Sequence, residues 1–119
     1  MDKRMVFGQR ERTLRYDIAA MLALEEAMAG KPSGEIVASL QRWSFTAMVL
    51  LLWAGFKHED KNLTQSQTRR ALEAFINEPN ANIRQLRKDI TEAIESSSWY
   101  KQIEVSAAED EEEDADANP

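Results

Sequence analysis

Cysteine is missing from all 119 residues. Neither a disulfide nor a thiolate metal site can form, which suits a reducing compartment. Histidine occurs once, at His58. Zinc takes three or four ligands, usually several of them His or Cys, and a serine triad would have His58 as its only base. No GxSxG, phosphate-binding loop or dinucleotide fingerprint is present either. The expectation is therefore a protein that is not an enzyme, with no catalytic, metal or cofactor residues. Long apolar runs are scarce as well. The longest, roughly residues 45–56, falls short of the ~20 residues a membrane span needs. The opening "MDKRMVFGQRER" has no apolar signal core, so a soluble, cytoplasmic protein is expected. There is no internal repeat.

Basic residues are absent from the last eleven positions, where seven acids fall: Glu109, Asp110, Glu111, Glu112, Glu113, Asp114 and Asp116. They account for the net charge of −6. Taking those seven from the 21 acidic residues leaves 14 against 15 basic ones, so the body is almost neutral. A neutral body argues against a strong electrostatic grip on nucleic acid. "SAAEDEEEDADANP" is acidic and without large apolar side chains. It reads as a disordered tail over 106–119, following a single helical domain over 1–105.

Within the domain, "RMVFGQRERTLRYD" places β-compatible residues on both sides of Gly8-Gln9. A hairpin with strands at about Met5–Phe7 and Thr13–Tyr16 is predicted. Asp17 then caps a first helix carrying Ile18, Met21, Leu22 and Met28 at helical spacing, and Gly30 ends it before the breaker "KPSG". Ile36, Val37, Leu40 and Trp43 mark a short second helix. The third, "SFTAMVLLLWAGFK", is apolar almost all round. Such a helix is either central and covered on every side or keeps a face for a partner. Gly55 near its end suits a left-handed cap. Thr64 and Gln67 form a capping-box pattern opening a fourth helix, which Pro79 breaks. Asn80 or Asn82 caps a fifth, with Ile83, Leu86, Ile90, Ala93 and Ile94 on one stripe and Arg84, Arg87, Lys88 and Glu92 outside it. "WYKQIEV" is a terminal strand or an extension. The fold class is mainly α: about five helices, a small N-terminal β-hairpin and a disordered acidic C-terminal tail.

Three groups of residues are candidates for function. His58, Glu59 and Asp60 carry acid–base and metal-binding chemistry, but consecutive positions rarely converge on one point. A hydrated loop ahead of the next helix, whose dipole favours carboxylates, is the better reading. Lys3, Arg4, Arg10, Arg12 and Arg15 form a basic N-terminus able to touch phosphates or to attract the acidic tail. Against a neutral body, a solvated hairpin face is preferred. Trp43, Phe45, Met48, Trp53 and Phe56 crowd into fourteen positions. Most such residues are core, yet Met suits adaptable surfaces and Trp is enriched among interface hot spots. These five are the candidate partner-binding residues, on an exposed flank of the third helix.

The order of these pieces resembles the tail assembly chaperones of long-tailed bacteriophages and gene transfer agents. Leu14-Arg15-Tyr16-Asp17 and Leu24-Glu25-Glu26 match the first block of that family. Leu51-Leu52-Trp53-Ala54-Gly55, Lys57-His58-Glu59-Asp60 and Leu63-Thr64 match the second. The likeness covers roughly residues 12–77, and Lys61 stands where proline is common. It implies a non-enzymatic chaperone in the host cytoplasm, absent from the mature virion. Such a chaperone binds the tape measure protein and keeps it soluble while the tail tube assembles. It further implies a longer frameshifted form that recruits the tail tube protein. A greasy, adaptable surface on a soluble body suits that task, and several copies per client make a homo-oligomer the expectation, with neither nucleic acid nor membrane as partner. The alternative is a small phage regulator binding nucleic acid through the basic N-terminus. A metal-dependent hydrolase at His58 is a third, weaker reading.

Overall fold

The computed structural model describes residues 2–102. Its elements in order are β1 (Lys3–Phe7), β2 (Arg10–Leu14), α1 (Ile18–Ala27), α2 (Ser33–Gln41), α3 (Phe45–Phe56), α4 (Gln65–Ile76) and α5 (Ile83–Glu95). One further helical turn occupies 98–102. The chain is mainly helical with a small N-terminal hairpin. The tail over 106–119 lies outside the described residues, as does the end of "WYKQIEV"; residues 99–102 of that stretch are helical, so no strand begins there.

The hairpin turns on two residues. Gly8 and Gln9 both have positive φ, 65° and 64°, the backbone of a type I′ turn whose twist matches paired strands. So tight a turn makes Phe7 and Arg10 the closing pair and sets Lys3 opposite Leu14. The second strand therefore runs from Arg10 to Leu14 rather than from Thr13 to Tyr16. The correction follows from loop length: with two turn residues, the partner strand has to begin at position 10.

Local chemistry starts most of the helices. Asp17, Ser44, Thr64 and Asn82 each accept a hydrogen bond from the backbone N–H three residues on, and Thr64 with Gln67 completes a capping box. α1 and α2 end alike. The N–H of Gly30 reaches the Glu25 carbonyl and that of Ala29 reaches Glu26; Ser44 reaches Ser39 and Trp43 reaches Leu40. Both are Schellman ends, and both put a non-glycine residue, Ala29 or Trp43, into left-handed backbone at 57° and 63°. Gly30, expected to end the first helix, does follow it, but one position beyond the residue that turns the chain.

α3 is the centre. α1 and α2 pack against it, as do α4, α5 and β2, and Ala47, Met48 and every residue from Leu51 to Phe56 are buried. Each large side chain so covered contributes ~1.5–3 kcal/mol. β2 and Tyr16 cross α3 at Gly55, where an added Cβ would stand 2.8 Å from both Leu14 Cδ2 and Tyr16 Cζ. Gly55 lies inside the helix and is not among the positive-φ glycines. It is there for close approach, not for the left-handed cap its position suggested. Three polar tips fasten the layers, the first two buried and the third half-buried: Tyr16 Oη donates to the Leu51 carbonyl at 2.7 Å, Trp53 Nε1 to Leu63 at 2.9 Å and Trp99 Nε1 to Tyr16 at 2.7 Å.

Candidate functional site

His58, Glu59 and Asp60 close the loop after α3, and all three turn back to β2. The Glu59 carboxylate accepts from the Thr13 N–H at 2.6 Å, and His58 Nε2 lies 2.7 Å from the Thr13 carbonyl, to which a protonated Nε2 donates. Asp60 Oδ2 lies 3.9 Å from Arg12 Nη1. In a hairpin closed at Phe7–Arg10, bonded pairs alternate, so the peptide groups of Thr13 point away from β1. The three side chains therefore clamp one strand residue by its backbone and its neighbour by charge. No group of three or more His, Asp or Glu suited to a metal occurs among the described residues. The three side chains are expected as a hydrated loop ahead of α4; instead they turn back onto β2, a structural task that spacing alone does not show.

The five aromatic and methionine candidates divide. Met48, Trp53 and Phe56 are core: Met48 and Phe56 are fully covered, and Trp53 hydrogen-bonds inward with Lys57 Nζ 4.6 Å from its ring centre. None of the three is open to a partner, because the faces of α3 that carry them are covered by the surrounding elements. Trp43, just before α3, and Phe45, its first residue, remain 40% and 52% exposed. The Arg87 guanidinium stacks 4.2 Å from the Trp43 ring centre, and Arg87 Nη1 also reaches the Gln41 carbonyl at 3.3 Å. Left-handed backbone is costly for a side chain this bulky, and such strain gathers where function holds it in place.

Sequence reasoning missed a second exposed set. Ile18 and Leu22 are 56% and 61% exposed and stand one turn apart on α1, and Val6 is open on β1. In the sequence, Ile18 and Leu22 fall at helical spacing with Met21 and Met28. α1 instead buries Ala20, Met21 and Leu24. "IAAMLALEEA" is apolar round most of its first turns, so its periodicity does not choose a face.

The basic N-terminus is largely paired within the fold. Lys3 Nζ lies 3.1 Å from Glu92 and 3.6 Å from Asp89, Arg4 lies 2.9 Å from Glu11, and Arg15 lies 2.8 Å from Asp2. The hydrogen bond from Arg15 holds the Asp2 carboxyl below its usual range, and the hydrogen bond to Glu92 raises Lys3. Arg12 is the exception in kind. It lies 5.4 Å from the Phe56 ring centre, and its Nη1 is buried without a hydrogen bond. Burial lowers its pKa.

A groove of about 440 Å³ lies between α2 and α5 with Trp99 and Tyr100 along one side. It shares Gln41 and Glu95 with a shallower depression that holds Arg84, Arg87 and Lys88. Set against models of known protein families, curated proteins and solved structures, the chain matches none. Among the described residues no helix is long and apolar enough to cross a membrane.

Proposed function

We propose that this chain is a tail assembly chaperone of a long-tailed phage or gene transfer agent, binding its tape measure protein and keeping it soluble while the tail tube assembles. The observation that carries the reading is Trp43, held half-open in left-handed backbone beside the exposed Phe45. An aromatic pair at the free end of a buried helix offers apolar contact without loosening the core. Ile18 and Leu22 add a second apolar stripe of the kind a long helical client lays down. The blocks that resemble the family hold together physically: Trp53, Gly55 and His58-Glu59 are the residues that join α3 to β2 and to the loop before α4. Several copies per client, a longer frameshifted form that recruits the tail tube protein, action in the host cytoplasm and absence from the mature virion belong to the same proposal.

Co-expression with the tape measure protein is the test. The expected result is a soluble complex that Trp43→Ala with Phe45→Ala abolishes while the helical circular dichroism is kept. A client that stays insoluble alongside the wild-type chain would overturn the proposal. The regulator reading is weaker, since Lys3, Arg4 and Arg15 are already within 4 Å of carboxylates.

A further inference from the structure

The groove between α2 and α5 has a direction. One end is apolar, with Val37, Ile94, Trp99 and Tyr100 around it. The other passes Gln41 and opens on Arg84, Arg87 and Lys88. The described chain stops at Gln102, two residues past Tyr100, at the apolar end. Seventeen residues follow, and their order repeats that of the groove: Ile103 and Val105 are their large apolar side chains, and the acidic run 109–114 comes next.

We infer that residues 103–119 of the same chain fold back into this groove, with Ile103 and Val105 against Ile94 and Trp99 and the run 109–114 on Arg84, Arg87 and Lys88. Reach permits it. Along α5, Glu95 and Arg84 are ~16 Å apart at the helical rise, and residues 103–108 extend to ~20 Å. Charge favours it: six consecutive carboxylates meet three cations. The acids at that end are Glu92, which Lys3 holds at 3.1 Å and which also lies 3.9 Å from Lys88, and Glu95, which lines both the apolar groove and the cationic depression. The basic hairpin competes poorly, because Lys3, Arg4 and Arg15 already lie within 4 Å of carboxylates. Attachment to the same chain also gives the segment an effective concentration on the order of millimolar, which a separate molecule has to match. The docked segment would cover Arg87 and the approach to Trp43, making the tail an internal competitor for that surface. The inference does not rest on the chaperone reading, since it concerns two parts of one molecule.

A chain without cysteine accepts a single spin label cleanly. Full-length Ala117→Cys carrying a nitroxide is expected to broaden the amide signals of Gln41, Arg84, Arg87 and Lys88 at low salt. The broadening should vanish in 1 M salt, where the screening length falls to ~3 Å. It should also vanish in Ile103→Asp with Val105→Asp. Gly34→Phe supplies a third arm. Gly34 lines the groove, nothing stands within 4 Å of its Cβ position, and its φ is not positive, so the backbone accepts a side chain there and a ring occupies groove space. This variant should lose the broadening with its other signals in place. Broadening elsewhere only, or persisting in Gly34→Phe, would overturn the inference. So would broadening seen only when labelled and isotope-enriched copies are mixed, because the tail would then occupy a neighbour's groove.

Discussion

Ala29 and Trp43 hold the same left-handed backbone at the ends of successive helices, yet their substitutions should part company. At Ala29 nothing but the turn is at stake. Ala29→Gly removes the Cβ strain and should stabilise the fold by about 1 kcal/mol in urea titration. Trp43→Gly relieves similar strain but loses the Arg87 stacking, worth ~0.5–1 kcal/mol at an exposed site. With the covered part of the indole lost as well, the variant should be less stable than wild type, and client solubilisation should fall. Gly55 is the opposite case, since its missing Cβ is the space that Leu14 and Tyr16 occupy. Gly55→Ala should cost about 1–3 kcal/mol by overpacking. Tyr16 adds a pH effect. Burial pushes its phenol far above the ordinary 10.0, so the folded state keeps the proton after the unfolded chain has released it. Stability should hold below pH 10 and fall as pH climbs beyond it, with tyrosinate absorbance appearing only as the chain unfolds. Tyr16→Phe should flatten that alkaline decline.

Between elements, the join of the hairpin to α3 depends on side chains reaching back 45 and 46 positions to Thr13. Glu59→Ala leaves a strand N–H without its acceptor and His58→Ala leaves a carbonyl without its donor, each costing about 1–3 kcal/mol. Because both grip one residue, the double variant should lose less than the sum, and amide exchange at Thr13 should quicken in both. This join marks the boundary of what was legible in the chain. The Thr64–Gln67 box, the Asn82 cap and the α5 stripe are local patterns read within a few residues of themselves. An apolar surround identified α3 as either central or partner-facing, and only packing chose the first, which took Met48, Trp53 and Phe56 out of the candidate site. Trp43 and Phe45 stayed in it for a reason no spacing reveals: the Schellman end of α2 turns the chain so that both stand outside the bundle.

For the molecule as a whole, charge separates into self-paired patches on the hairpin and a cationic end on α5, with the surplus acid at the C-terminus. Duplex DNA should accordingly bind weakly if at all. A salt titration that instead gave a steep loss of measurable affinity, with a slope near −0.9 per phosphate contact, would favour the regulator. The clamp on Thr13 reaches further than the hairpin's own stability. An incoming strand that tried to zip onto the outer rim of β2 would find the Thr13 amide and carbonyl taken by Glu59 and His58, and the Arg15 amide taken by Gly55. That rim offers little template for fibre growth or for a guest β-segment, so crowding many copies along one client need not seed strand-to-strand stacking there.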